Sequence, residues 1–219
     1  AYEEYSRRAA AIARRRRLYF AEFVLDFMDL NLAAMRGDAD DVAGLSGRMR
    51  EIHSGATLLA SEFVEFGINY SVGLWDPDVA DGLAGLVGPL LEGPSAEFAL
   101  DAAFQILARS HHAEELGSPL HPHHVASRHR LPPVQHDWGT VHTAAARAEI
   151  AHELDDPVLA AQAAQWLRRY SGRIALSGSS VVLGPADGYL AMAEATVGNG
   201  AAATTAADRA LTLASAWGL

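Results

Sequence analysis

The stretch Ala148-Glu149-Ile150-Ala151-His152-Glu153-Leu154-Asp155-Asp156-Pro157-Val158-Leu159-Ala160 decides the fold. It reads as the end of one helix, a tight turn and the start of another. Asp156 offers a side-chain acceptor to the orphan N–H groups of a first helical turn, and proline at the first helical position sacrifices no backbone hydrogen bond. A second segment, Ala191 to Ala210, repeats the plan around Gly198. In both, a small or apolar residue stands seven before, five after and twelve after the turn residue: Ala148, Ala160 and Leu167 around Asp155, and Ala191, Ala203 and Ala210 around Gly198. Small residues at those offsets let two antiparallel helices close together.

Upstream the same rhythm recurs. With Gly37 as the turn, Leu30, Val42 and Met49 fall at the same three offsets, with larger side chains. Apolar spacing predicts helices over Glu3–Ala13, Leu18–Arg36, Val42–Ile52, Ala56–Leu74, Val79–Leu91 and from Ser95 to about Arg109. Gly37-Asp38, Trp75-Asp76-Pro77 and Gly93-Pro94-Ser95 separate them, with Asp38 or Asp40, Asp78 and Ser95 as expected caps. Downstream, helices are expected over Trp138–Leu154, Val158–Tyr170, Asp187–Val197 and Ala201–Trp217, with Ser171 to Pro185 an inserted loop carrying an extended stretch at Val181-Val182-Leu183. Residues 111–136 differ, being rich in His and Pro, with one short helix expected near His111–Leu116 or His123–Arg130. The expected fold is therefore all-α: a tetratricopeptide-like, right-handed superhelical array of about five antiparallel helix pairs. It forms one domain over residues 1–219, with helix pairs in 1–110, a His/Pro-rich connection in 111–136 and two pairs in 137–219.

Composition narrows the function classes. A hydrophobic share of 50% suffices for a core, and no apolar run approaches the length of a membrane span. The absence of cysteine excludes disulfides and thiolate metal sites. A net charge of −10 argues against a duplex-binding domain. All basic residues are arginine, as in proteins of GC-rich genomes, and without lysine there is no Walker A motif. Arg14-Arg15-Arg16-Arg17 reads either as a patch for nucleic acid or anionic lipid, or as a solvated helix end where cations suit the dipole. Glu3, Glu4, Glu22 and Asp26 nearby favour the solvated end, so no direct nucleic-acid or membrane partner is expected. The chain opens at Ala1, without Met and inside a predicted helix, and is expected to be a cytoplasmic fragment of a larger protein.

A more specific likeness runs through Leu131-Pro132-Pro133, Asp137-Trp138, Ala148-Glu149, Leu154-Asp155-Asp156, Leu167 to Gly172, Gly184-Pro185, Tyr189-Leu190 and Ala206 to Leu219. This line resembles the C-terminal helical-repeat region of LuxR-type and SARP-like transcriptional regulators with a STAND-class ATPase core, and of adenylate cyclase-like relatives, from high-GC Gram-positive bacteria. The resemblance covers residues 131–219, and residues 1–110 share only the helical rhythm. Asp155 stands where that family has glycine after leucine, and the His-rich segment has no counterpart. The resemblance implies a non-catalytic regulatory or sensor arm that binds a protein partner or small-molecule effector. Such an arm controls ATPase and DNA-binding domains elsewhere in its own polypeptide.

Candidate chemistry is sparse. His121, His123 and His124 stand close enough to share a metal ion, but prolines separate them and few carboxylates lie near, so a solvated loop is favoured. Glu149 and His152 form a single E-x-x-H step, where di-iron bundles need two. His142, Ala145, Glu149 and His152 make one stripe on the first helix of a pair, the helix that lines the concave face of such arrays. That stripe is the candidate binding surface, set against a plain polar face. No cofactor, metal or catalytic residue is expected. The alternative is a metal-binding helical protein using Glu149, His152 and the His-rich loop, and a third reading is a homodimer formed through the apolar helix Leu18–Arg36. Ser177-Gly178-Ser179-Ser180 lacks the partners of a phosphate loop, and no G-x-S-x-G elbow marks a nucleophile. Trp75, Trp138, Trp166 and Trp217 are expected to pack between helices.

Overall fold

Apolar residues at three- and four-residue steps, punctuated by Gly and Asp-Pro, commit this chain to short helices joined by tight turns. The computed structural model describes residues 2–56, 61–92, 96–115, 117–128, 131, 134, 136–137, 139–177 and 181–219. Its helices are α1 (Tyr2–Arg16), α2 (Tyr19–Arg36), α3 (Ala39–Ala56), α4 (Ser61–Gly73), α5 (Pro77–Glu92), α6 (Ala96–Arg109), α7 (Pro122–Arg128), α8 (Thr140–Glu153), α9 (Pro157–Leu167), α10 (Ala186–Val197) and α11 (Gly200–Trp217). Short 3₁₀ turns cover His111–Ala113 and Arg168–Tyr170. The chain is thus mostly helical, and no helix among the described residues is long and apolar enough to cross a membrane.

One turn geometry recurs. Arg17, Gly37, Asp155 and Gly198 all take positive φ, at 56°, 71°, 50° and 90°. In each case the next residue's N–H bonds a carbonyl five positions back: Leu18 to Ala13, Asp38 to Ala33, Asp156 to Ala151 and Asn199 to Glu194, at 2.8–3.0 Å. This left-handed closure satisfies the last carbonyls of the preceding helix. The three turns read from sequence are among the four. Asp156 caps α9 as expected, accepting from Val158 N and Leu159 N. Asp38 accepts from Asp41 N at 3.2 Å. The expected cap at Asp78 is corrected: Asp76 accepts from Asp78 N at 3.0 Å, and Pro77 opens α5. The Asp76-Pro77 step is the same device as Asp156-Pro157.

Helices α2, α4, α6, α8 and α10 pack on one another in succession, while α3, α5, α7 and α9 each pack on the even-numbered helix that follows. The main core runs through α4–α6 and α8–α10, and a second cluster of Phe23, Phe27, Leu30, Leu45, Met49, Val64 and Ile68 joins α2, α3 and α4. Close approach is built from small residues: Ala144, Ala145, Ala148, Ala151, Ala160, Ala163 and Ala164 are fully enclosed. At Gly73 a Cβ would sit 3.3 Å from the Ala80 backbone, so glycine there sets the α4–α5 spacing.

Among the described residues, the departure from a purely helical fold is an antiparallel hairpin, β1 (Ile174–Ser177) and β2 (Val181–Pro185), in the predicted inserted loop. β1 packs on α8, and β2 on α2, α10 and α11. Asn31, fully enclosed on α2, accepts from Val182 N at 3.1 Å, and Tyr189 on α10 donates to the Leu183 carbonyl at 2.7 Å. Gly184, at φ +90°, passes close to Met35 and Trp75. At the hairpin's root the buried Asp187 carboxylate accepts from Ser171 Oγ at 2.8 Å, Gly172 N at 2.5 Å and Arg209 Nε at 3.0 Å. Burial alone would raise the Asp187 pKa, but these donors hold it below the usual value. Val181 packs against both clusters, so the hairpin joins the two halves of the interior.

Candidate functional site

The even-numbered helices carry a line of polar side chains through an otherwise apolar interior. Helix α4 contributes Tyr70, α6 contributes Gln105 and Arg109, α8 contributes His142 and Glu149, and α10 contributes Tyr189. Glu149 anchors the line. Arg109 meets it with two guanidinium nitrogens, Nη1 at 3.0 Å from Oε2 and Nη2 against Oε1. Gln105 Nε2 also donates to Glu149 Oε2, at 2.8 Å. Arg109 also donates to the Leu74 carbonyl at 2.7 Å and the Gln105 carbonyl at 3.3 Å, and its guanidinium meets the Tyr189 hydroxyl.

This arrangement orients everything beyond it. Because the Gln105 amide nitrogen faces Glu149, its oxygen faces Tyr70 and His142. Tyr70 donates its hydroxyl to Gln105 Oε1 at 2.6 Å. His142 Nε2 lies 3.0 Å from the same oxygen and 3.1 Å from Tyr70 Oη, which selects the tautomer with the proton on Nε2. Burial lowers the His142 pKa to about 4, so the ring is neutral. Burial likewise lifts the Tyr70 and Tyr189 phenols above their usual range. For Arg109, burial works against the charge, but the Glu149 carboxylate more than offsets it and the guanidinium pKa rises. Glu149 is paired with the Arg109 guanidinium, His142 is uncharged and both phenols keep their protons. The seam is a closed circuit of donors and acceptors.

A second buried pair lies next to it and is not closed. Arg147 on α8 is 1% exposed, and its Nη2 stands 3.0 Å from Asp101 Oδ1 of α6. Among the described residues, none of its nitrogens is aimed along a hydrogen bond, despite that distance. Burial raises the Asp101 pKa, against the pull of Arg147, and lowers that of Arg147, against the pull of Asp101.

The predicted stripe is placed unevenly. His142 and Glu149 belong to the seam, Ala145 is fully enclosed among the core alanines, and His152 is exposed with Nδ1 3.2 Å from Thr196 Oγ1. The two members of the E-x-x-H step therefore serve different places: Glu149 is committed to Arg109 and Gln105, and His152 faces outward. In the His-rich segment, His121 stacks on His123 at 5.2 Å and meets His124 edge-on at 6.0 Å. No group of three or more His, Asp or Glu among the described residues is arranged to hold a metal ion. Ser95, the third expected cap, and His129, Trp138 and Gly178 to Ser180 lie outside the described residues. Trp166 stacks on His136 and lies under the Arg169 guanidinium at 4.5 Å, while Trp75 is 38% exposed.

Sequence reading missed Tyr70, Gln105, Arg109 and Tyr189. A signal was present for two of them: Gln105 interrupts the run Ala102 to Leu107, and Arg109 follows one helical turn later on the same face. Comparisons with protein-family profiles, with curated proteins and with solved structures find no match for this chain.

Proposed function

We propose that this chain is a tetratricopeptide-like, right-handed array of helix pairs that serves as a non-catalytic regulatory arm. It takes a protein segment or small effector on the face formed by its first helices and passes that state to ATPase and DNA-binding domains of its own polypeptide. The succession α2, α4, α6, α8, α10 supports the array, with α3, α5, α7 and α9 packed between neighbours. The observation that carries the recognition role is the grip on β2. Asn31 from α2 and Tyr189 from α10 hold the N–H of Val182 and the carbonyl of Leu183, side chain to backbone. First helices from opposite ends of the array thus read an extended main chain, the part of a peptide common to every sequence.

Two measurements test this. A labelled peptide of residues 181–186, added to a chain whose own hairpin is loosened by Gly184→Val, is expected to bind saturably, and to bind wild type much more weakly. Absence of binding to a folded Gly184→Val chain ends the recognition role. An immunoblot of the native cell with an antibody against this chain is expected to give a band several times larger than 23.3 kDa. A band near that mass removes the regulatory-arm reading while leaving the peptide result standing.

A further inference from the structure

The Arg14–Arg17 run, expected to be a solvated helix end, sits in more unusual surroundings than its sequence suggests. Residues 5–20 hold six of the 17 arginines and none of the acidic residues, in a chain of net charge −10. Elsewhere six arginines, Arg48, Arg50, Arg109, Arg147, Arg168 and Arg209, stand against carboxylates, while Arg36 bonds the Trp217 carbonyl and Arg169 lies over the Trp166 ring. Arg8, Arg15, Arg16 and Arg17 are exposed, and among the described residues their side chains make no ion pair or hydrogen bond.

Large apolar side chains are exposed among them. Tyr5, Ile12, Leu18, Tyr19 and Phe20 are 47–66% exposed. Tyr5 and Ile12 are two helical turns apart on one stripe of α1, about 10 Å from end to end. Leu18, Tyr19 and Phe20 are exposed just past the corner, at the start of α2. The corner also breaks a local rule. Arg17 takes φ 56° at a helix end where glycine is free of strain; Gly37 and Gly198 fill two of the equivalent turns, and Asp155 the third. A cation is kept there against the backbone's preference.

We propose that the α1–α2 corner docks on an anionic lipid surface. Guanidinium groups suit lipid phosphates, and tyrosine and phenylalanine suit the interface between headgroups and hydrocarbon. Ile12 and Leu18 offer aliphatic surface that the phosphates of a nucleic acid have no use for, and a bilayer interior does. The attachment is peripheral: a charged, aromatic corner resting in the interfacial layer.

The test is co-sedimentation of the 219-residue chain with vesicles of equimolar phosphatidylglycerol and phosphatidylcholine, and with phosphatidylcholine alone. Binding is expected only to the anionic vesicles, and is expected to fall steeply with added salt. Each arginine neutralised is expected to weaken it about fivefold, so Arg15→Gln with Arg16→Gln costs about 25-fold. Ile12→Ser with Phe20→Ser is also expected to weaken it, while Arg173→Gln, on the hairpin's approach, leaves it unchanged. Arg17→Gly separates the role from folding: it is expected to raise the melting temperature and weaken binding together. Equal binding to neutral vesicles, no binding, or indifference to Ile12→Ser with Phe20→Ser overturns the proposal. So does displacement from the vesicles by duplex or single-stranded DNA at equal phosphate, which assigns the corner to nucleic acid. A concentration-dependent mass doubling abolished by Phe20→Ser overturns it as well, assigning the corner to a second copy of the chain.

Discussion

Replacing Glu149 by leucine tests whether the seam is a satisfied circuit or an incidental cluster. The carboxylate is almost wholly buried and accepts from Arg109 twice and from Gln105 once. Its removal leaves the Arg109 guanidinium inside the protein with two carbonyls and the Tyr189 hydroxyl but no carboxylate, and an uncompensated buried charge costs about 3–5 kcal/mol. Arg109→Met removes the other charge and should cost a similar amount, again about 3–5 kcal/mol. The double variant removes both charges together. What remains is the lost donor at the Leu74 carbonyl and the lost acceptor for Gln105 Nε2, about 2–4 kcal/mol in all. The two changes should therefore couple by about 3 kcal/mol or more, far beyond the ~0.5 kcal/mol within which independent sites add. Urea denaturation followed by circular dichroism measures all four corners of the cycle. If a single variant proves too unstable to fold while the double variant folds, the sign of the coupling is the same. A single change costing under ~1 kcal/mol, or simple additivity, refutes the closed-circuit reading.

The other expectations concern acid and the turns. His142 has its folded pKa lowered to about 4 by burial, against about 6.5 when unfolded, so the folded state binds fewer protons between those values. The stability it contributes is whole above the unfolded pKa and is lost as pH falls toward the folded one, by up to about 3 kcal/mol. His142→Gln should flatten that part of the curve, seen by comparing urea midpoints near pH 7 and near pH 5; a slope equal to wild type refutes the assignment. Asp155, exposed at φ 50°, should gain about 0.5–1 kcal/mol on replacement by glycine, a rise of a few degrees in a calorimetric melt, and an unchanged or lower melting temperature counts against strain at that turn.

How much of this was legible follows from the range of the forces involved. The turns at Gly37, Asp155 and Gly198 were readable because a left-handed helix end is a local requirement, met by one residue and its immediate neighbours. The cap at Asp76 was equally local, and it was misplaced at Asp78 because Pro77 was read as a breaker when it opens the helix. The hairpin was half legible: Val181-Val182-Leu183 suggested an extended stretch, but its hold on Asn31 spans 151 residues of chain, and no local pattern announces such a bond. The seam was the least legible part. His142 and Glu149 were noticed for their spacing and read as a surface stripe, because spacing gives the face of a helix without saying what lies against it. The interior position is decided by α6, whose Gln105 and Arg109 supply just the donors that make a buried carboxylate tolerable. Burial of a charge is thus a joint property of two helices, 40 residues apart for Arg109 and Glu149. The useful sign in sequence is an arginine and a glutamate, each interrupting an alanine- or leucine-rich helix. Arg147, in the run Ala144 to Ala151, satisfies that sign too, and its incomplete match to Asp101 shows what the sign cannot distinguish: which buried pair has closed its hydrogen bonds and which still lacks them.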